Sequence, residues 1–246
     1  MKPEISFVEF KKTNLNGYTL IEGFPGMGLV GTIAAKYLVE KLDFDYIGYL
    51  DANIFMPIIR IHNGIPVRPA RIYANKKRKL AVLIAEQVIA KEYTDLVAKK
   101  TVAWIKEKGF REVISLSGVH SSGNEKIELI YGIAANEKSR GLIKKYGLKE
   151  ISEGITTGIT ALILLELKSS KINAISILGN VQLSADYKAS AEVLKKLNTI
   201  AGLKLNVEPL IKEARETEKQ LIQQLQKLKD TKDNTEKFET RTPIVT

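Results

Sequence analysis

The feature that most constrains this chain is a glycine-rich join between a short apolar segment and an amphipathic one. Residues 18–21 are apolar enough for a buried strand, and residues 32–42 carry apolar side chains at helical spacing. Between them lies Gly23-Phe24-Pro25-Gly26-Met27-Gly28-Leu29-Val30-Gly31. Because glycine tolerates positive φ and lets other groups approach the backbone, this turn can hold an anion at the helix start or let helix and sheet pack tightly.

The rest of the chain alternates between strand-like and helix-like segments. Periodicity predicts strands at residues 5–10, 46–50, 80–85, 113–117, 131–135 and 174–179, and helices at residues 94–108, 137–146, 159–167 and 186–197. Residues 57–73 predict a hairpin around His62-Asn63-Gly64. This alternation predicts an α/β domain over residues 1–207, with a mostly parallel or mixed sheet and helices on both faces.

The composition changes beyond residue 207. Residues 208–230 predict an amphipathic helix, in which apolar residues recur at three-four spacing: Ile211, Ala214, Leu221, Leu225 and Leu228. Such a stripe packs either on its own domain or on a neighbouring subunit. Residues 231–246 are polar and charge-balanced, and we expect them to form a flexible tail.

The glycine-rich turn formally contains a dinucleotide-binding fingerprint. Gly26-Met27-Gly28-Leu29-Val30-Gly31 satisfies G-x-G-x-x-G, and Asp51 follows the next predicted strand at about the expected distance. However, Gly23-Phe24-Pro25 separates the strand from the fingerprint, whereas the dinucleotide fold brings the first glycine almost directly off the strand. A dinucleotide- or nucleotide-binding enzyme that uses residues 23–31 therefore stays the alternative interpretation.

Groups suited to catalysis are few. The chain has no cysteine and only two histidines, His62 and His120, at no recognisable metal-ligand spacing. Ser117, Ser121 and Ser122 lie near His120 in sequence, and Glu22 and Glu86 are predicted to follow buried strands. A nucleophile also needs a base that the fold brings to it, so we favour the interpretation that these are polar residues in loops at strand ends. We expect no enzymatic activity, no metal and no cofactor.

The formal net charge of +10 raises the question of nucleic-acid binding. The one dense basic cluster, residues 76–79, lies between two strand-like segments and has no interleaved aromatic residues, which favours an exposed hairpin turn. The sequence has no run of about 18 apolar residues and no signal-peptide pattern at its start. We therefore expect a soluble cytoplasmic protein that binds neither nucleic acid nor membrane.

Several of these segments together resemble the proteasome assembly chaperone 2 family. The resemblance rests on residues 21–31, on Leu116-Ser117-Gly118, on Gly154-Ile155-Thr156-Thr157-Gly158-Ile159 and on Ser176-Ile177-Leu178-Gly179-Asn180, in matching order over residues 15–200. It implies a three-layer α/β fold similar to nucleoside phosphorylases. It also implies an archaeal-type, ATP-independent chaperone for proteasome subunits or an adaptor linked to them, acting as a homo-oligomeric ring, with a pentamer as one option.

The same resemblance indicates where contacts with partners would lie. Family members that dock directly on the proteasome end in hydrophobic-Tyr-any residue, whereas this sequence ends in Ile244-Val245-Thr246. We therefore place it in the branch without the docking tail, for which binding through a partner protein is one option. In the glycine-rich turn, Phe24 and Met27 are predicted apolar contacts for a neighbouring subunit or client. In the predicted helix over residues 208–230, three more residues are predicted contacts for a partner: Leu221, Leu225 and Leu228.

Overall fold

A computed structural model of the chain describes residues 3–55, 57–120 and 130–212. The chain divides into two compact units, Met1–Leu205 and Asn206–Thr246. In the second unit residues 206–212 are described, and residues 208–212 are helical. The greater part of the predicted helix over residues 208–230, and the predicted contact residues in it and in the tail, lie outside the described residues: Leu221, Leu225, Leu228, Ile244, Val245 and Thr246.

Within the described residues, a nine-stranded sheet runs through the first unit in the order β1-β3-β6-β7-β2-β8-β11-β9-β10. Its strands are β1 (Ile5–Glu9), β2 (Thr19–Gly23), β3 (Asp45–Ala52), β6 (Ala70–Asn75), β7 (Leu80–Ala85), β8 (Glu112–Val119), β9 (Ile130–Ala134), β10 (Lys149–Glu150) and β11 (Asn173–Asn180). Strands β4 (Arg60–His62) and β5 (Ile65–Val67) form a separate hairpin.

The centre of the sheet is parallel. Strands β7, β2, β8 and β11 pair in parallel, whereas β1, β3 and β6 extend the sheet by antiparallel pairing. Every residue of β2 and β7 is buried. Nearly continuous apolar strands are expected where helices cover both faces. The sheet is therefore mixed, as the sequence predicts.

Five helices cover the described part of the sheet. They are α1 (Val30–Lys41), α2 (Thr94–Glu107), α3 (Glu137–Lys145), α4 (Ile159–Leu167) and α5 (Tyr187–Ala201). Helix α1 packs with α5, and α2 packs with α4. Leu20 and Phe24 share a core cluster with residues of α2 and α4, whereas Gly23 faces α1. Because alternate residues of a strand point to opposite faces, the helices lie on both faces, and the predicted fold class is confirmed.

The glycine-rich turn lets α1 lie directly on the sheet. A Cβ at Gly31 would come within 2.2 Å of the Leu116 carbonyl oxygen in β8, and a Cβ at Gly23 would come within 2.2 Å of the Gly31 carbonyl oxygen. A side chain at either position would require the backbone to move. The close approach of β2, α1 and β8 therefore depends on glycine at these two positions.

The segment predicted as one hairpin over residues 57–73 is divided between two sheets. Strand β4 pairs with β5 around Asn63 and Gly64, which both have positive φ, as the predicted turn requires. Beyond β5, however, the chain enters the main sheet as β6. Pro69 separates β5 from β6, and proline lacks the N–H that a continuous ladder needs. The prediction was therefore correct for the turn and wrong for the extent of the second strand.

The basic cluster has the structure that the sequence predicts. Residues 76–79 form the turn that joins β6 to β7, and all four are exposed. The cluster is therefore a solvated connection in the described structure.

Because α1 and β8 are in backbone contact, we expect two Gly→Ala substitutions to change the free energy of unfolding in opposite directions. Gly31→Ala should lower the free energy of unfolding by about 3 kcal/mol, because the added methyl group meets backbone that cannot move aside easily. Gly141→Ala, inside α3, should raise it by about 0.5–1 kcal/mol, because a Cβ there meets nothing within 4 Å. Urea denaturation of both variants measures the difference. Equal stability of the two variants would contradict the packing account.

Candidate functional site

The candidate site lies where the four parallel strands end. In open α/β sheets, ligands bind beyond the carboxyl ends of the parallel strands. Here this edge carries the glycine-rich turn after β2, the end of β8 and the loop that follows β11. The glycine-rich turn is therefore at the place where this architecture puts a ligand, and its geometry decides whether a ligand fits.

The space beside the glycines is filled by the protein itself. A Cβ at Gly28 would lie 2.7 Å from Cγ1 of Val181, and a Cβ at Gly118 would lie 2.3 Å from the Met27 carbonyl oxygen. Gly28 also has a φ of 63°, a conformation that glycine adopts without strain. The turn therefore packs against the ends of β8 and β11, so these glycines leave no cradle for a phosphate group.

Asp51 is also far from the position that the dinucleotide fingerprint requires. It lies in β3, and two strands, β6 and β7, separate β3 from β2. Its carboxylate forms an ion pair with Arg68 at 3.1 Å. In a dinucleotide site the acidic residue follows the strand adjacent to the glycine-rich turn. The fingerprint in residues 26–31 is therefore a packing feature, and this geometry does not support the alternative interpretation of a dinucleotide-binding enzyme.

Asp186 holds the loop after β11 against the glycine-rich turn. Its backbone N–H donates to the Gly28 carbonyl at 2.8 Å. Its side chain accepts from the Ala189 N–H at the start of α5 (2.8 Å) and from the Gln182 N–H (2.9 Å). The side chain thus serves as the N-cap of α5 while it braces the loop. Turn and loop form one fixed surface.

This surface exposes large apolar side chains. Met27 is 45% exposed, Leu183 is 47% exposed, and Leu29 is also exposed. Leu29 has a φ of 51°, which is uncommon for a residue other than glycine. We call Met27, Leu29 and Leu183 the apolar edge. Exposed apolar groups held on a fixed backbone are typical of a surface that contacts another protein.

Phe24 does not belong to the apolar edge. Its side chain is only 2% exposed and packs in the core on the face covered by α2 and α4. Phe24 continues the alternation of β2, in which Leu20 and Glu22 point to the same face, so its ring enters the core. The predicted role of Phe24 as a contact for a partner is therefore wrong, whereas Met27 is exposed and stays a candidate.

The polar residues considered for catalysis are dispersed. His62 lies in the β4–β5 hairpin, and His120 follows β8. Ser121 and Ser122 lie outside the described residues. In the described parts of the chain, no three residues of the His, Cys, Asp or Glu types come together as metal ligands, and no helix is long and apolar enough to cross a membrane.

The two carboxylates predicted at strand ends have different positions. Glu86 lies beyond β7 and accepts hydrogen bonds from Arg71 at 2.5 Å and from Arg60, which ties the β4–β5 hairpin to the sheet. Glu22 lies inside β2 and is completely buried, which corrects its prediction as a sheet-end residue. Thr160 Oγ1 donates to Glu22 Oε2 at 3.5 Å, and Oε1 has no hydrogen-bond partner within the described residues.

Burial raises the pKa of Glu22 to about 7 from an ordinary value of 4.5. A carboxyl group without a cation beside it is more stable in the neutral form when water is excluded. Glu22 is therefore an uncharged core residue at mildly acidic pH.

With this geometry established, comparison with known proteins identifies the family. The PAC2 family model matches residues 20–225. The chain belongs to the PAC2 family. This confirms the resemblance found in residues 21–31 and in the later motifs.

Relatives and solved structures agree with this assignment. The uncharacterised protein MJ0106 of Methanocaldococcus jannaschii is 31% identical over 222 residues, which cover 90% of this chain and 91% of that protein. Human proteasome assembly chaperone 2 is 25% identical over 124 residues, which cover 47% of each chain. The crystal structure of Pyrococcus furiosus PbaA, described as an archaeal homolog of proteasome-assembly chaperone, has a TM-score of 0.81 and 30% identity, covering 93% of this chain and 100% of that one.

The raised pKa of Glu22 predicts a specific pH dependence of stability. Above pH 4.5 the unfolded chain loses the Glu22 proton while the folded chain keeps it, so the free energy of unfolding falls until about pH 7. The fall amounts to about 3 kcal/mol. Glu22→Gln cannot titrate, so its stability relative to the wild type should rise by this amount between pH 4.5 and 7.5.

Urea denaturation across this pH range measures the effect, with Glu92→Gln as the matched control because Glu92 is exposed. The control should follow the wild-type curve. If the Glu22→Gln curve also stays parallel to the wild-type curve, Glu22 does not have a raised pKa.

Proposed function

We propose that this chain is an assembly chaperone or adaptor for proteasome-related clients. Membership of the PAC2 family supports the proposal, as do the printed descriptions of human proteasome assembly chaperone 2 and of PbaA. The observation that carries it is the apolar edge, because Met27 and Leu183 are exposed at the place where an enzyme of this architecture would hold a ligand. The partner would be a proteasome subunit or an adaptor protein linked to one.

We further propose that the chaperone works without ATP and without catalysis. The packing of Gly28 against Val181, and of Gly118 against the Met27 carbonyl, supports this, because the glycine-rich turn then has a structural role. Any energy for assembly would come from binding itself, through the burial of apolar surface between chaperone and client.

We also propose that the protein acts as a homo-oligomeric ring, for which a pentamer is one option. The body of the α/β domain would form the ring. The terminal helix with Leu221, Leu225 and Leu228, and the tail with Ile244, Val245 and Thr246, would then offer binding surface to the client. The family resemblance supports this arrangement.

The apolar edge provides the direct test of the proposal. The double substitution Met27→Asp/Leu183→Asp should weaken binding to purified proteasome subunits of the same organism at least about tenfold, because it places charges in a surface that must be desolvated on binding. Leu165→Asp is the matched control, since Leu165 is 61% exposed in α4. Isothermal titration calorimetry measures the affinities. Wild-type affinity of the double variant would contradict the role of the apolar edge.

Deletion of residues 231–246 tests the role of the tail separately. The truncated protein should keep the oligomer mass of the full chain, because the proposed ring is built by the α/β domain, while its affinity for the client falls. Native mass spectrometry gives the mass, and the same titration gives the affinity. Unchanged client binding would remove the tail from the proposal, and a changed mass would show that the tail takes part in the ring.

A further inference from the structure

A second candidate site is a cleft between α1, the β4–β5 hairpin and one face of the sheet. In β6, Ala70, Ile72 and Ala74 belong to the core cluster that also contains residues of α2 and α4. Because alternate residues of a strand point to opposite faces, Arg71 and Tyr73 lie on the other face. There they line a cleft of about 460 Å³ together with residues of α1 and the hairpin. This volume is within the range of small-molecule sites.

A buried arginine is fixed in this cleft. Arg71 is only 3% exposed. Its Nη2 donates to Glu86 at 2.5 Å, its Nε donates to the Tyr73 hydroxyl at 2.9 Å, and its Nη1 donates to the Arg68 carbonyl at 2.8 Å. Arg60 of the hairpin donates to the other carboxylate oxygen of Glu86. The protein therefore holds both guanidinium groups in place without a ligand.

The charges at the cleft leave one cation unmatched. Three cations line it, namely Lys36 and the two arginines. Two carboxylates oppose them, because Glu86 pairs with both arginines and Glu40 pairs with Arg60 at 3.4 Å. Lys36 is half-buried and has no hydrogen-bond or ion-pair partner within the described residues. With His62 neutral, one positive charge therefore remains, and it lies on Lys36.

The groups at the cleft that lack partners include three donors. The Tyr73 hydroxyl accepts from Arg71, so its own O–H can still donate. The Tyr46 hydroxyl has no hydrogen-bond partner within the described residues, and the Lys36 ammonium has only donors. An ionised carboxylate has only acceptors and carries one negative charge, so it complements this set. A phosphate monoester carries about −1.5 to −2 charges at neutral pH and exceeds the single unmatched cation.

Aromatic rings provide the apolar part of the cleft. Phe44, Tyr46 and Tyr73 line it, and the ring centroids of the two tyrosines lie 5.3 Å apart. Val39 and Val67 add aliphatic surface. Aromatic side chains interact favourably with a further ring in an offset or edge-to-face arrangement. The cleft therefore suits a planar ring next to the unmatched cation.

We propose that this cleft binds a small carboxylate that carries an aromatic ring. The carboxylate pairs with Lys36 and accepts from the hydroxyls of Tyr46 and Tyr73, while the ring packs on the aromatic side chains. The site is separate from the apolar edge, and the proposal does not depend on proteasome-related clients.

Saturation-transfer NMR titrations of the full chain at pH 7.5 test the charge of the ligand. The probe is phenylacetate, and phenylacetamide is the neutral comparison of nearly the same shape. Phenylacetate should bind, and the amide should bind at least about fivefold more weakly, because it cannot pair with Lys36. Phenyl phosphate should also bind more weakly than phenylacetate. No binding of phenylacetate, equal binding of the amide, or tighter binding of phenyl phosphate would overturn the proposal.

Cyclohexylacetate tests the contribution of the aromatic ring, because it keeps the carboxylate and replaces the planar ring by a puckered one. It should bind at least about threefold more weakly than phenylacetate. Equal or tighter binding of cyclohexylacetate would show that the cleft does not select an aromatic ligand and would overturn that part of the proposal.

Substitutions locate the binding. Lys36→Gln removes the unmatched charge, so it should weaken binding of phenylacetate at least about fivefold and abolish the preference over the amide. Lys100→Gln is the matched control, because Lys100 is exposed in α2 and lies outside the cleft. It should leave binding unchanged. If Lys36→Gln binds phenylacetate as the wild type does, the proposed site is wrong. The probe comparisons need no variant, so they decide the question even if Lys36→Gln does not fold.

Discussion

The backbone contact between Gly31 of α1 and the Leu116 carbonyl of β8 is the constraint on which the rest of the site depends. It fixes the start of α1 on the central strands without an intervening layer of side chains. The chain from Gly23 to Gly31 must then pass over the end of β8, where the Met27 carbonyl lies against Gly118. This path turns the side chains of Met27 and Leu29 outward. The same glycines that match a dinucleotide-binding fingerprint thus produce an apolar protein surface.

Much of the fold follows from local patterns in the sequence, whereas the order of the strands does not. Helices α2, α3 and α4 begin at residues 94, 137 and 159, where the spacing of apolar residues predicts them. Periodicity carries no information about which strands become neighbours. The sequence pattern therefore associates Asp51 with the glycine-rich turn, although strands β6 and β7 lie between β3 and β2. A proline at residue 69 was the available signal that the predicted hairpin over residues 57–73 changes sheets.

The sequence predicts only part of the candidate site, because the exposure of a side chain also depends on long-range packing. The predicted exposure of Met27 is correct, whereas the predicted exposure of Phe24 is wrong, because Phe24 continues the alternation of Leu20 and Glu22 into the core. The sequence gives no signal for Leu183, because the exposure of an apolar residue is decided only when the chain has folded. Local sequence indicates whether a residue belongs to a helix or a strand, whereas long-range packing decides which side chains stay accessible.

We propose that clients bind at the carboxyl edge of the sheet, on the surface held by Asp186 and the glycine-rich turn. Hydrogen–deuterium exchange of the full chain, with and without purified proteasome subunits of the same organism, tests this proposal most directly. Binding should slow exchange of the backbone amides in residues 26–29 and 181–186, because a client covers them. Unchanged exchange in both segments, with protection confined to other parts of the chain, would contradict the account.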